Sequence, residues 1–265
     1  MTHVTSRDGT PIAYEQDGSG PAVILVGGGL DDGSENAPLV PELAGRFTVL
    51  NYARRGRGES GDTPPYSVHR EIEDLDALIT AAGGSASVFG ASSGGALVLE
   101  AAAAGLPIDK VAVYEVPYMS DETAVVHWSE YVGGLTAALA ENRRADALAL
   151  FMRLAGSSED DIAGARDSGF WPALLRLAPT LAYDAACLGD GRPPVVRLGA
   201  ITRPVLVTTG GVPDPQMGGL RPGFFDEAAD AISAALPDAT RQIVAGQSHV
   251  ADPKVFAKVL ADFFA

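Results

Sequence analysis

Short apolar segments recur along the chain and alternate with amphipathic ones. Apolar runs such as Ala22–Val26, Val111–Tyr114 and Val205–Thr209 lack the polar alternation of a half-exposed strand. Such runs are typical of strands that are buried on both faces of a sheet. The same pattern predicts further strands at residues 12–15, 48–52, 87–89 and 241–244. The chain is therefore predicted to contain a central β-sheet.

Helical periodicity fills the segments between these strands. Residues 68–82 place Ile72, Leu75 and Ile79 on one face, and further helices are predicted at residues 94–104 and 224–236. A final helix is expected to start with Asp252 as N-cap and Pro253 at the first helical position. Strands that alternate with helices predict a mostly parallel sheet with helices on both faces, an α/β fold.

The alternation of strands and helices stops between Tyr118 and Ala200. This stretch has no convincing strand and predicts helices at residues 123–141, 144–155, 159–166, 171–177 and 180–188. We therefore expect a core formed by residues 1–117 and 201–265. Residues 118–200 are expected to form a helical lid that is inserted in this core and lies over the sheet.

The composition and the net charge of the chain limit the kinds of molecule that it is expected to bind. Of the 265 residues, 46% are hydrophobic and 20% are charged, as in a globular protein. The net charge of −15 argues against nucleic acid and anionic membranes as partners, because both bind basic surfaces. One cysteine, Cys187, allows no internal disulfide. The sequence shows neither a signal peptide nor a membrane span, so a cytoplasmic protein is expected.

The segment Gly90-Ala91-Ser92-Ser93-Gly94 lies between a predicted strand and an alanine-rich helix. A Gly-x-Ser-x-Gly sequence in this setting is typical of a nucleophile elbow, a sharp turn that exposes one serine hydroxyl at the edge of the sheet. Ser92 is therefore the candidate nucleophile.

A serine hydroxyl needs a base, and the base needs an acceptor that fixes its tautomer. His249 follows the last predicted strand and is the candidate base. Two carboxylates follow earlier strands: Asp214 is the preferred acid, and Glu115 is the alternative. The order serine, acid, histidine suits either of them.

Taken together, these segments resemble the α/β-hydrolase superfamily. The matching segments are Leu25–Leu30, Tyr52–Ser60, the elbow at Ser92, Gly211–Asp214 and His249. The resemblance implies an oxyanion hole made by the backbone N–H groups of Ser93 and Gly29, with Leu30 as an alternative to Gly29. Aromatic residues of the lid are candidates for the wall of a substrate pocket: Tyr118, Trp128, Tyr131 and Trp171.

The chain departs from its relatives at three positions. Many of them have His where Gly27 stands, Asp where Ala53 stands and a larger residue at Ala91. The first two side chains usually brace the oxyanion loop, so a loop without its usual brace is expected here. Because three consecutive glycines are flexible, this loop is also predicted to be poorly preorganised.

The predicted function is that of a serine esterase: hydrolysis of a small, fairly apolar ester, thioester or lactone through a Ser-His-Asp triad. The alternative is a lyase, a cyclase or a ligand-binding protein on the same fold. No cofactor and no metal are expected, and the partner is a small-molecule substrate. Residues 56–61 spell a dinucleotide fingerprint, but Pro64-Pro65 prevents the helix that this motif requires.

Overall fold

A computed structural model describes residues 1–265 and contains one eight-stranded sheet. The strands are β1 (Thr2–Thr5), β2 (Pro11–Gly18), β3 (Ala22–Val26), β4 (Thr48–Tyr52), β5 (Ala86–Ala91), β6 (Ile108–Tyr114), β7 (Val205–Gly210) and β8 (Ala239–Val244). Their order in the sheet is β1-β2-β4-β3-β5-β6-β7-β8. The pairs β1–β2 and β2–β4 are antiparallel, and every other neighbouring pair is parallel.

The predicted mostly parallel sheet is thus confirmed, and β1 is the one strand that the pattern did not predict. It is a short strand at the edge of the sheet, and its residues are largely exposed. A strand without a buried apolar run has no hydrophobic signal, which explains why it was missed.

Helices cover both faces of the sheet. Besides α1 (Leu39–Leu43), they are α2 (Val68–Ala81), α3 (Ser93–Ala103), α10 (Phe224–Ala235) and α11 (Pro253–Phe264). Adjacent residues of β3 point to opposite faces. Ile24 packs in a core with residues of α2, α3 and α10, whereas Val23 packs in a second core with residues of α1 and α11. The predicted layering is therefore confirmed.

Six helices lie between β6 and β7 and form what we call the helical insertion, within residues 118–200. They are α4 (Glu122–Ala140), α5 (Arg144–Leu154), α6 (Glu159–Arg166), α7 (Trp171–Leu177), α8 (Leu181–Leu188) and α9 (Val195–Leu198). The five predicted helices correspond to α4 through α8. The four-residue helix α9 is too short to show periodicity. Helix α8 packs against α3, which joins the insertion to the sheet.

No helix of the chain combines the length and the apolar character that crossing a membrane would require.

Candidate active site

Ser92 lies in a strained turn at the carboxyl end of β5. Its backbone has φ +53° and ψ −127°, an unusual conformation for a residue with a side chain, and α3 begins at the next residue. A Cβ on Gly90 would lie 2.5 Å from the carbonyl oxygen of Gly94, and one on Gly94 would lie 2.5 Å from that of Gly27. The close approach of three backbone segments therefore requires both glycines of the elbow.

His249 is paired with Glu115 rather than with Asp214. The Nδ1–H of the imidazole donates to Glu115 Oε2 over 2.6 Å, while Glu115 Oε1 accepts the N–H of Gly210 over 2.8 Å. Glu115 directly follows β6, is 5% exposed and has φ +48°. With both carboxylate oxygens bound, Glu115 can fix the tautomer and the orientation of the imidazole.

Asp214, the preferred acid in the sequence analysis, has other partners. It follows β7 and caps a short 3₁₀ helix, where its carboxylate accepts the N–H of Gln216 over 2.9 Å. Its second oxygen accepts the hydroxyl of Ser248 over 3.0 Å, next to His249 but not on the ring. Glu115 and Asp214 follow neighbouring strands, so their order in the chain could not show which of them binds His249. In the structure, of these two side chains only that of Glu115 reaches the imidazole.

Two aromatic residues hold the loop that carries His249. The ring of Phe225, in the first turn of α10, stacks on the imidazole with centroids 5.1 Å apart and planes at 17°. The hydroxyl of Tyr114 donates to the carbonyl of Ser248. His249 is therefore positioned by contacts with α10 and β6 as well as by Glu115.

A cavity of about 990 Å³ lies between the end of the sheet and the helical insertion. Ser92, His249 and Gly29 all line it, although Ser92 Oγ and the imidazole are not hydrogen-bonded to each other in this structure. Half of the 30 lining residues are hydrophobic, many of them from α4, α5 and α8. This wall suits a substrate with a substantial apolar part.

The four aromatic residues predicted to line a pocket divide into two pairs. Trp128 and Tyr131 of α4 line the cavity. Tyr118 and Trp171 do not; they are buried in the hydrophobic core at 1% and 9% exposure. Their aromatic side chains made all four candidates, but residue type does not show which of them border an empty space.

Two residues whose backbone N–H groups have no acceptor in the protein, Gly29 and Ser93, line the cavity near Ser92. Ser93 is the first residue of α3, so its N–H has no partner within the helix and lies at the positive end of the helix dipole. Gly29 lines the cavity as well, and its N–H donates to no group of the protein. Leu30, the alternative to Gly29, has φ +60° and is not among the residues that line the cavity.

A buried ionic network that was not predicted from the sequence lies directly beneath these donors. Arg54 makes two bonds of 2.7 Å to Glu71 and one of 2.8 Å to Asp184. Arg57 binds both oxygens of Asp184, at 2.8 and 2.7 Å. Burial acts to raise the pKa of Glu71, but the adjacent Arg54 guanidinium outweighs it and lowers that pKa. The positive charges of Arg54 and Arg57 thus neutralise the negative charges of Glu71 and Asp184.

The sequence drew attention to the arginines of this network but not to the carboxylates that bind them. Arg54 and Arg57 lie within the segment Tyr52–Ser60 that carried the family resemblance, but nothing there identified their partners. Asp184 lies in α8, about 130 residues further along the chain. A pairing across that distance is set by the packing of α8 on the core, which spacing alone does not show.

The space beside Gly27 is occupied by a carboxyl group. A Cβ on Gly27 would lie 1.8 Å from Asp31 Oδ2, so Asp31 fills the position that a side chain at residue 27 would need. Its other oxygen accepts the N–H groups of Gly33 and Glu35, at 2.8 and 3.0 Å. Burial raises the pKa of Asp31. Asp31 therefore packs directly against the backbone at Gly27, where it leaves no room for a larger side chain.

Comparison with known proteins gives one consistent result. A model described as the alpha/beta hydrolase family matches residues 22–259. The crystal structure of an alpha/beta hydrolase from Sphaerobacter thermophilus DSM 20745 is 44% identical, covers 100% of both chains and superposes with a TM-score of 0.88.

Two other relatives are more distant. The enol-lactonase from Burkholderia xenovorans LB400 is 23% identical over 99% of both chains, with a TM-score of 0.69, and shares the fold. A curated protein, the uncharacterized hydrolase YraK of Bacillus subtilis (strain 168), is 34% identical over 96 residues. That match spans 35% of this chain and 35% of YraK, about a third of either length.

Proposed function

Because this chain belongs to the alpha/beta hydrolase family, as its sequence motifs predicted, we propose that it is a serine hydrolase that cleaves small, fairly apolar acyl compounds. One observation carries the proposal. His249, which is hydrogen-bonded to Glu115, lines the same cavity as Ser92, and Ser92 occupies a strained strand-to-helix turn. A base with a fixed tautomer beside an exposed hydroxyl is the arrangement that activates a serine.

In the first half of the reaction, Ser92 Oγ attacks the carbonyl carbon of the substrate while His249 Nε2 accepts the hydroxyl proton. The carbonyl electron pair moves to oxygen, and the N–H groups of Gly29 and Ser93 bind the resulting oxyanion. When the tetrahedral intermediate collapses, the bond to the leaving group breaks and His249 returns the proton to it. An ester of Ser92 remains.

In the second half, water attacks this acyl-enzyme and gives its proton to His249. Collapse of the second intermediate breaks the bond to Ser92 Oγ, returns the proton to that oxygen and releases a carboxylic acid. Glu115 holds Nδ1–H throughout and stabilises the imidazolium that forms twice in each cycle. Nucleophile and base need not be hydrogen-bonded before substrate binds, because such bonds often tighten only in the complex.

The apolar lining of the cavity is our reason for proposing an ester, thioester or lactone with an apolar acyl part as the substrate. The residues of the insertion that line the same cavity as Ser92 include Trp128, Tyr131 and Phe151. An apolar acyl chain can lie against them while its carbonyl reaches the two N–H donors. We propose that residues 118–200 act as a lid that closes this wall over the substrate.

Labelling with a fluorophosphonate probe tests the proposal. The probe should modify wild-type protein at Ser92, and labelling should disappear in Ser92→Ala and His249→Ala. Ser248→Ala is the matched control, because Ser248 is a neighbouring serine that is bound to Asp214. If the wild-type protein is not labelled but still binds apolar ligands, the non-hydrolytic alternative replaces the proposed hydrolase.

A further inference from the structure

The oxyanion loop of this chain contains three consecutive glycines, Gly27 to Gly29, and the backbone of glycine is the most costly to order. An oxyanion hole stabilises a transition state only when its donors already point at the oxygen. The peptide unit between Gly28 and Gly29 therefore needs a fixed hydrogen-bond partner. Arg57, a member of the buried ionic network beneath the loop, provides that partner.

Arg57 binds the loop at its backbone. Its Nη1 donates to the carbonyl oxygen of Gly28 over 2.5 Å, and the residue is 1% exposed. A peptide unit is planar and trans, so the N–H of Gly29 points in the direction opposite to the Gly28 carbonyl. By holding that carbonyl on the buried side, Arg57 turns the N–H of Gly29 away from itself and toward the cavity.

Asp184 fixes Arg57 and reaches the second donor as well. Its two oxygens bind Nη2 of Arg57, and Oδ1 also accepts the hydroxyl of Ser93 over 2.7 Å. Ser93 supplies the other N–H of the hole. A Cβ on Gly29 would lie 3.6 Å from Asp184 Oδ2, so this carboxylate lies next to both halves of the hole.

We propose that Arg57 and Asp184 are positioning residues that preorganise the oxyanion hole by fixing the orientation of the Gly28–Gly29 peptide and of Ser93. They replace the braces that are absent at Gly27 and Ala53. Because Asp184 belongs to α8, the hole is complete only when the helical insertion is docked on the core. The inference rests on the proposed serine hydrolase function.

Kinetic comparison of Arg57→Gln with Arg55→Gln tests this positioning role. Arg55 is a matched control: it is 0% exposed and is bound to Asp74, Asp8 and the carbonyl of Arg70, away from the oxyanion loop. Both variants lose a buried guanidinium and should lower thermal stability. Only Arg57→Gln should lower kcat, by about 100-fold as for the loss of one oxyanion donor, with KM nearly unchanged.

A boronic acid inhibitor supplies a second readout, because its serine adduct places an oxygen in the oxyanion hole. Arg57→Gln should weaken boronate binding in proportion to kcat and leave binding of a planar ester analogue unchanged. Arg57→Lys, which retains a donor for the Gly28 carbonyl, should recover part of kcat.

If Arg57→Gln does not fold, Asp184→Asn keeps the size of the side chain and can be compared with Asp74→Asn, its counterpart on Arg55. Asp184→Asn should lower kcat at least 10-fold, and Asp74→Asn should not. Equal kcat losses in the Arg57 and Arg55 variants, or in Asp184→Asn and Asp74→Asn, would overturn the positioning role alone. Failure of the wild-type protein to react with the fluorophosphonate would overturn the proposed function together with it.

Discussion

At the scale of single residues, backbone strain is concentrated around the proposed chemistry. Four residues other than glycine have a positive φ, and three of them, Leu30, Ser92 and Glu115, follow the neighbouring strands β3, β5 and β6. Each such conformation costs roughly 1–3 kcal/mol and persists only where the surrounding structure enforces it. The packing at the carboxyl ends of these strands therefore enforces the strained conformations of Ser92 and Glu115.

The assignment of the acid can be tested by two isosteric substitutions. Glu115→Gln should lower kcat by about 10³- to 10⁴-fold, because a neutral amide no longer selects the reactive imidazole tautomer or stabilises the imidazolium. Asp214→Asn should lower kcat less than 10-fold, because the hydrogen bonds of the Asp214 carboxylate go to Ser248 and to a backbone N–H and not to the imidazole. Steady-state kinetics with a p-nitrophenyl ester measures both.

Circular dichroism melting curves serve as the control for folding. A folded Glu115→Gln variant with wild-type kcat, together with an inactive Asp214→Asn variant, would return the acid role to Asp214.

Ionised Asp8 stabilises the folded protein, and this stabilisation is lost at low pH. Burial acts to raise the pKa of this carboxyl, but hydrogen bonds from Thr10 and the Arg55 guanidinium outweigh it and lower the pKa to about 2, below the ordinary value of 3.8. A depressed folded-state pKa stabilises the protein above pH 3.8, and this contribution is lost as pH falls through 2.

Asp8→Asn should therefore lower the free energy of unfolding by about 1 kcal/mol at pH 5, and the difference from wild type should shrink between pH 4 and pH 2. Urea titrations at several pH values measure it. Asp76→Asn, at an exposed position on α2 without an ion pair, should give a curve parallel to that of wild type. A difference for Asp8→Asn that stays constant down to pH 2 would contradict the assignment.

At the scale of elements, helix α11 anchors the end of the loop that holds His249. The carboxylate of Asp252 accepts the N–H groups of Lys254 and Val255 at 2.8 and 3.3 Å, and Pro253 occupies the first helical position. This is the cap that the sequence predicted. Phe256 and Leu260 of α11 are buried against the sheet, so the cap joins a packed helix to the loop that carries His249.

Removal of the cap should have a measurable cost. Asp252→Ala should lower the free energy of unfolding by about 1 kcal/mol, because two N–H groups lose their acceptor, whereas Asp252→Asn should stay within a few tenths of wild type. Urea denaturation of the three proteins measures this difference. Equal losses in both variants would show that the negative charge, rather than the acceptor oxygen, matters at this position.

At the scale of the whole molecule, the cavity belongs neither to the sheet nor to the insertion alone. The sheet side contributes Ser92, Gly29 and His249, and the insertion contributes the apolar wall. We therefore expect that substrate range depends on residues of the insertion that are distant in sequence from the nucleophile.

Filling the cavity from α5 tests this expectation. Leu150→Trp should reduce kcat/KM for long acyl esters at least 10-fold and leave acetate esters nearly unaffected, because the added ring occupies space in the cavity. Met152→Trp adds similar bulk on the same helix at a position that does not line the cavity, and it should keep the wild-type preference. Ester series of increasing acyl length measure both. An unchanged profile for Leu150→Trp would show that acyl chains bind elsewhere.

Local rules in the chain were sufficient for most of the architecture. Buried strands such as β3 and β7, the amphipathic face of α2, the Asp252 cap and the elbow around Ser92 are all properties of a few neighbouring residues. Hydrophobic period, capping and turn chemistry act over such distances, so the sequence by itself determined the buried strands and the amphipathic helices, the family and the candidate nucleophile and base, but not the exposed strand β1 or the short helix α9.

Only the tertiary structure decided which distant groups meet. Glu115 and Asp214 follow adjacent strands, and a hydrogen bond of 2.6 Å to His249 distinguishes them. Asp184 meets Arg57 because α8 packs against α3, and Tyr118 is buried in the core while Trp128 lines the cavity. These outcomes depend on the directions of side chains after packing, and neither spacing nor composition contains that information.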